Sequence, residues 1–361
     1  MRTALFLAAK DPAVERTGDM AMFNLVLMLA KEMVAVRLLA LGAKPRRNET
    51  STVLEKPEIS PVKLLTRSLL SGRSVVHERF GLGSLQHAIA EGEADMFVAD
   101  HSYMAESFLA SGRTEPLYVN TVVSESLVWK ASHGLIGKLQ APRILRDEHR
   151  VAAAAESVGT YDMQEAEEYR AAGINRVAWL DLTLKPMVGL PRRELSAPRL
   201  AFVGDRQWRP NEEGARALLK IWPQISEGIP GAELVFIGRP AGRLDLPSGA
   251  RDLGFVPDLD QALASCRGIL APILTGGGVR VKILEAASRG IPIVGTPAAI
   301  GSLTSTFGLS PASLDEEFIE AARRLLLDQE FSRAEGAALY ERNVQHWAEG
   351  IPQAAVEEWL Q

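Results

Sequence analysis

The sequence contains one cysteine, Cys266, in 361 residues. A single thiol excludes a disulfide framework and a cysteine-based metal site, and the neighbouring Leu263, Ala264 and Ile269 mark it as a small core residue. No stretch approaches the roughly 20 apolar residues that cross a bilayer, and the apolar run at residues 4–9 is too short for a signal peptide. A basic excess is missing too. With a formal charge of -5 the chain has no surplus of cations to neutralise a phosphate backbone, so nucleic acid is not an expected partner. Tandem repeats and low-complexity segments are absent. What is left is the profile of a globular protein expected in the cytoplasm, long enough for two domains of about 170–190 residues with separate cores.

The first half alternates apolar runs with amphipathic stretches, the pattern of a parallel sheet. Residues 4–9 read as a strand, 20–33 as a helix with Phe23, Leu27 and Ala30 on one face, and 34–41 as the next strand. Gly18 falls at the carboxyl end of the first strand, where it makes either a plain turn or room for a ligand. Residues 44–80 break the alternation and carry Lys44, Arg46, Arg47, Lys63, Arg67, Arg73 and Arg79. Within them, residues 61–70 form a short helix with Leu65 and Leu69 four apart and cations beside them. The segment 61–73 either rests on anionic lipid as a peripheral contact or packs on its own domain with a solvated basic face. Residues 85–90 read as a helix and 96–99 as a strand, followed by Asp100-His101-Ser102-Tyr103. His101 there either polarises a hydroxyl and contacts a sugar or is structural. Residues 117–123 give another strand, and the Glu125 carboxylate beyond it orients an acceptor hydroxyl or caps the following helix. A helix over 143–155, a strand over 157–161, a helix that Asp162 caps and Gly173 ends, and a strand over 177–180 complete this sheet. Pro186, Pro191 and Pro198 lie in an aperiodic stretch, the expected linker at 186–198 between domains spanning 1–185 and 199–347.

The second half opens with a strand at 200–203 and the string Gly204-Asp205-Arg206-Gln207-Trp208-Arg209-Pro210-Asn211. Asn211 is the expected N-cap of a helix with Leu218, Leu219 and Trp222 on its apolar face, and Arg206 or Arg209 is placed to reach a phosphate. A strand at 233–238, a short strand through 254–256 and a helix after Pro257-Asp258 follow. The densest pattern is at 268–294: an apolar run, the glycines Gly276, Gly277 and Gly278, an apolar-periodic helix and a second apolar run. Strand, glycine loop, helix and strand in that order place helix amides at the ligand edge of a parallel sheet. Glycines let an anion approach the backbone, the helix dipole favours its charge, and Arg280 and Lys282 add cationic donors. Glu285, one turn beyond Lys282, cannot hold phosphate but can accept from paired ribose hydroxyls. Together they suggest a nucleoside diphosphate, although three glycines alone mark no more than a tight turn.

Residues 276–294 resemble the donor-binding segment of family 4 glycosyltransferases, G-x-G-x-R-x-K-I-L-E-A-x-x-x-G-x-P-x-V, with every fixed position present from Gly276 and Gly278 through Arg280, Lys282 and Glu285 to Pro292 and Val294. Residues 204–211 are similar to the G-x-x-x-W-x-P-N element that opens the donor domain of many such enzymes, and Glu125-Ser126 matches the tail of an H-N-x-E-S motif. The resemblance implies an α/β protein of GT-B fold: two Rossmann-like domains with parallel sheets facing across a cleft, and a last helix at about 348–361 returning to the first domain. It implies transfer of a sugar from a UDP-, GDP- or dTDP-sugar to the hydroxyl of a glycan or lipid-linked acceptor, with retention and no cofactor or metal. Charge on the leaving group would be met by Arg280, Lys282 and loop amides. The residues so implicated are His101, Arg280 and Lys282 in catalysis and Glu125 toward the acceptor. Gly18, Arg206, Gly238, Val256, Thr275, Gly276, Gly277, Gly278, Val279 and Glu285 are implicated toward the donor, Val256 through backbone contact with the base. Gly301, in the loop after Pro292 and Val294, is expected near the active crevice. Three positions depart from the family pattern: Val122 stands in place of the histidine, Gly18 is a lone glycine where relatives carry two or three, and Gly277 occupies the place of a second glutamate. The changes at Val122 and Gly18 keep in view a catalytically silent protein of this fold that binds carbohydrate or a partner, Gly277 reads as subfamily variation, and a nucleotide-sugar epimerase on the same fold is a second alternative.

Overall fold

The structure is a computed structural model that describes the whole chain except Arg16, Pro191 and Gly276. The chain divides into two compact units. The first comprises Met1–Leu182, Gly277–Val279 and Ile351–Gln361, the second Thr183–Gly276 and Arg280–Gly350.

The first unit is built on an eight-stranded sheet of β1 (Thr3–Ala8), β2 (Ala35–Gly42), β3 (Arg46–Arg47), β4 (Ser51–Glu55), β5 (Met96–Asp100), β6 (Leu117–Asn120), β7 (Ser157–Thr160) and β8 (Val177–Trp179), in the order β3-β4-β2-β1-β5-β6-β7-β8. All neighbours run parallel except β3 and β4. Helices cover both faces, so β5, β6 and β7 are buried along their whole length, without the alternation of a one-sided sheet. Leu7, Phe97, Val119 and Ile144 lie in one apolar cluster, and on the other face Phe23 of the helix Gly18–Ala30 meets Phe6 edge-on at 6.2 Å. The helix Ile351–Leu360 packs on Gly18–Ala30, β7 and β8, and its buried Trp359 stands edge-on to Tyr118.

Two features depart from the pattern read above. Strands β3 and β4 lie inside the segment that breaks the alternation, because β3 is a two-arginine edge strand and β4 buries only Val53, so neither carries an apolar run to announce it. The helix over 143–155 begins earlier, as Gly134–Ala154, and passes through Pro142, a residue that sequence reading takes as a stop. The helix Pro61–Ser71 buries only Ser68, while Val62, Leu65, Leu69 and Leu70 face solvent. Among the described residues no helix is long and apolar enough to cross a membrane.

The second unit holds five parallel strands, β9 (Arg199–Val203), β10 (Glu233–Ile237), β11 (Ala250–Gly254), β12 (Gly268–Ala271) and β13 (Ile293–Gly295), in the order β11-β10-β9-β12-β13. Helices Arg209–Ser226 and Glu316–Leu327 bury Leu218, Trp222, Phe318 and Leu325 against the sheet. Trp222 is fully buried, and its indole N–H is satisfied by the carbonyl of Ser248 at 3.1 Å.

In each sheet the chain winds outward one way and then returns to wind the other. The reversal falls between β1 and β5 in the first unit and between β9 and β12 in the second. Loops at such a switch point diverge from the carboxyl ends of adjacent strands and leave a crevice, the place where open α/β sheets take ligands. The two crevices are therefore set by strand order before any side chain is considered.

Candidate functional site

At the switch point of the first unit the loop after β1 carries Lys10, and its ammonium pairs with Asp19 at 2.6 Å. Gly18 is the first residue of the helix that contains Asp19. Across the gap, β5 ends in Asp100 and His101. Asp100 is buried, accepts from Asn120 Nδ2 at 3.1 Å, and lies 3.3 Å from His101 Nδ1. Burial pushes the Asp100 carboxyl up. Burial alone would lower the imidazole, but the negative charges of Asp100, Glu125 and Asp19 together outweigh it and hold the His101 pKa above its ordinary value. The ring stacks on Tyr103 at 4.9 Å. With Nδ1 facing the Asp100 carboxylate, Nε2 is the ring nitrogen left able to bond a hydroxyl.

His101 and Val122 are the two non-glycine residues with positive φ among those described, at 73° and 50°, and they follow adjacent strands. Backbone strain of this kind costs of order 1–3 kcal/mol per residue and gathers at ligand sites. Glu125 begins the helix Glu125–Ser132, so its side chain does not cap it. The cap comes from Glu148, whose Oε1 accepts the Glu125 N–H at 2.8 Å. Burial, helped by the Glu125 charge, pushes the Glu148 carboxyl up to about 7. Burial also raises Glu125, with the charges of His101 and Lys10 pulling the other way. His101, Glu125, Lys10 and Asp19 thus form one electrostatic neighbourhood.

Gly277–Val279 belong to this unit. The expected open amide cradle is not what they form: the Val279 N–H donates to the Val122 carbonyl at 2.8 Å, and a Cβ on Gly278 would stand 2.0 Å from that oxygen. Gly278, at φ 75°, is required by a close backbone approach, and the Val279 amide is already paired in this structure. Gly277 has ordinary room, with Leu127 and Ser124 at 3.5 and 3.8 Å from a built Cβ. Gly276 lies outside the described residues.

At the switch point of the second unit Lys282 sits in the first turn of the helix Val281–Arg289, whose N-cap is Arg280. Its ammonium donates to Asn211 Oδ1 at 2.6 Å and lies 5.9 Å from the centre of the Phe202 ring. Burial drives its pKa down to about 8, and no carboxylate opposes that shift. Asn211 is not the helix N-cap; that position is Trp208. Asn211 instead joins Lys282 to the Asp205 carbonyl, which its Nδ2 reaches at 2.8 Å. Thr275 Oγ1 is buried with no hydrogen-bond partner among the described residues. Gly301 is the C-cap of the short helix Pro297–Ile300 that follows β13.

Several expected donor contacts have other partners. The Arg206 guanidinium is fully buried, grips both oxygens of Asp252 at 2.9 and 2.7 Å, and also donates to the Gly238 carbonyl. It braces β11 and is not aimed at a phosphate; Arg209, the other candidate, pairs with Glu213 one turn on. Gly238 packs directly on Gly204, whose carbonyl would lie 2.2 Å from an added Cβ. Strand β11 ends at Gly254, so Val256 lies in the loop beyond and not in a strand. Glu285 is bonded through Oε2 to Arg289, which also binds Asp260 at 2.7 Å, and burial raises the Glu285 carboxyl against that pairing.

Sequence reading missed Asp19, Lys10 and Glu148. Asp100 could have been marked, because it precedes His101 directly. Glu148 gives no local signal, since its role depends on a residue 23 positions away.

Residues 197–328 match the family model of Glycosyl transferases group 1. No curated protein sequence matches the chain. The fold is GT-B. The chain is similar to a sucrose-phosphate synthase from Thermosynechococcus elongatus at TM-score 0.69 and 16% identity, covering 97% of this chain and 96% of that one. It is similar to TarM at TM-score 0.72 and 8% identity over 100% and 98% of the two chains. It also resembles Anabaena HepE, solved with UDP and glucose, at TM-score 0.64 and 14% identity over 99% of each.

Proposed function

We propose that the protein is a glycosyltransferase whose second unit holds a nucleoside diphosphate sugar and whose first unit presents the acceptor. The observation that carries this reading is Lys282: a partly buried ammonium at the start of a helix, at a switch point, with an amide oxygen and, among the described residues, no carboxylate as its partner. A desolvated cation without a counter-charge is poised for an anion, and the helix N-terminus adds to the same preference. The unpartnered Thr275 hydroxyl and the match over 197–328 support it. A UDP-sugar is the first donor to try, because the similar HepE was solved with UDP.

In the proposed reaction the bond between the anomeric carbon and the diphosphate breaks as the acceptor oxygen bonds to that carbon, through an oxocarbenium-like state. Lys282 and Arg280 meet the charge that develops on the leaving group, and His101, oriented by Asp100, polarises the acceptor hydroxyl. Glu125 accepts from a neighbouring acceptor hydroxyl. The free oxygen of Glu285 is the one offered to a ribose. Retention and independence of a metal rest on the family resemblance alone.

A thermal-shift and calorimetric screen against UDP-, GDP- and dTDP-sugars tests the reading. Binding of one donor, with transfer reduced about 10²–10⁴-fold in His101→Asn at unchanged donor affinity, is the expected result. Binding of none removes it. A sugar epimerised without acceptor would make the protein an epimerase, and binding without turnover a silent member of the fold.

We also infer that the helix Pro61–Ser71 lies on anionic lipid. Val62 and Leu70 are 77% and 84% exposed on one short helix that also carries Lys63. Co-sedimentation with phosphatidylglycerol vesicles, lost in Leu69→Glu/Leu70→Glu, is expected; equal sedimentation of that variant would exclude it.

A further inference from the structure

Beyond His101, the carboxyl edge of the first sheet holds a group of cations that the reaction above does not use. Lys56 follows β4, donates its ammonium to the Ala9 carbonyl at 3.2 Å, and lies 5.3 Å from the centre of the Phe80 ring. Ala9 precedes Lys10 and Phe80 follows Arg79, so two further cations flank it in space. Burial and then the charges of Arg79 and Lys10 lower the Lys56 pKa, and Glu15 is the carboxylate that opposes them. Neighbouring charges are otherwise matched: Lys10 pairs with Asp19 and Arg46 with Asp11. Among the described residues Lys56 has only a backbone carbonyl as hydrogen-bond partner. Arg79, partly buried, has neither an ion pair nor a side-chain hydrogen bond among the described residues.

This group is fixed relative to His101. The His101 ring stacks on Tyr103 at 4.9 Å, Tyr103 stacks on Phe80 at 4.3 Å, and the Lys56 ammonium lies over the Phe80 ring. Phe80 and Tyr103 are both buried, so packing holds the two rings in place. Like charges held together at a half-buried edge repel, and an anion placed between them relieves that repulsion. A guanidinium with all its donors free suits an oxyanion, which it can grip through two parallel hydrogen bonds.

We propose that Lys56 and Arg79 form the charge-recognition subsite for the acceptor, which therefore carries an anionic group, a phosphate or a carboxylate, remote from the hydroxyl that meets His101. The proposal rests on the acceptor role given to the first unit above. Its chemistry is separate from the donor seat at Lys282, so the two can fail independently.

The test is calorimetric titration of the full-length protein with inorganic phosphate at constant ionic strength. It compares wild type with Arg79→Gln, with Lys56→Met/Arg79→Gln and with Lys282→Met. Arg79→Gln removes no contact seen in the structure and serves if the double variant does not fold. Loss of two charged hydrogen bonds is expected to weaken phosphate by tenfold or more in the double variant, about several-fold in Arg79→Gln, with nucleotide affinity unchanged. Glucuronate and glucose 6-phosphate, titrated the same way, then separate a carboxylate preference from a phosphate preference. Phosphate affinity lost only in Lys282→Met would place the anion at the donor seat and overturn the proposal while leaving the donor reading intact. Anion binding that survives Lys282→Met but fails in Arg79→Gln supports the subsite whatever becomes of the donor reading. No anion binding at all, or equal affinity in every variant, overturns it.

Discussion

Replacing Lys282 by methionine keeps the apolar stem against Phe202 and removes the ammonium, and its consequences run in opposite directions for stability and binding. In the free protein the charge is a burden. Burial lowers its pKa from 10.5 to about 8, which corresponds to about 3 kcal/mol of penalty below pH 8. That figure is an upper bound because the residue keeps some solvent contact. The sign follows from proton counts: between pH 8 and 10.5 the unfolded chain holds the proton that the folded chain has released, so wild-type stability rises with pH across that window. In Lys282→Met the rise is absent, and unfolding by urea at pH 7 should require about 1–3 kcal/mol more, the lower end reflecting the lost bond to Asn211.

Nucleotide binding reverses the balance. A diphosphate beside the ammonium restores its ordinary pKa, so binding at pH 8 should draw in about half a proton, visible as a dependence of the calorimetric heat on buffer ionisation. Lys282→Met should lose this uptake together with about 1.5–3 kcal/mol of affinity, roughly 10- to 150-fold. A variant that binds nucleotide as tightly as wild type, with the same proton uptake, would refute the reasoning at its root.

Two further outcomes follow from buried charge. Asp252→Asn leaves the Arg206 guanidinium inside the second unit without its counter-charge and should cost about 3 kcal/mol in urea unfolding; a loss below 1 kcal/mol would mean that the pair does not brace β11. Glu148 is raised from 4.5 to about 7, so its contribution is fully present below pH 4.5 and fades as pH rises through 7, by about 3 kcal/mol. Glu148→Gln, which keeps an acceptor for the Glu125 N–H, should flatten stability against pH over that interval, and an unchanged profile would exclude the assignment.

The parts legible in the sequence were those written locally. The segment from β12 through the helix Val281–Arg289 to β13 was readable because each piece declares itself by its own apolar period and the glycine that ends it. The bracing was not readable. Arg206 looks like a phosphate ligand until Asp252, 46 residues on, is seen to hold it, and Asn211 looks like a cap until Lys282 is found 71 residues away. Lys56 and Arg79 carried no motif, since their meaning arises only where β4 and the helix Val75–Phe80 come together around one aromatic column. Local rules report secondary structure; charge pairing across a sheet is a property of the finished fold.

The contact between Gly204 and Gly238 has a bearing on how variation in this chain should be interpreted. With the carbonyl of one 2.2 Å from where the other would place a methyl group, any substitution at Gly238 acts as a wedge that splays β9 from β10. A scan would score such a change as damaging and invite its assignment to ligand contact, although no ligand need be touched. The relation is one-sided: a side chain at Gly204 would meet Asn211 Nδ2 at 2.8 Å and Lys282 Cε at 3.1 Å instead, so tolerance at Gly238 alone is a gauge of how far the ends of the two strands can part.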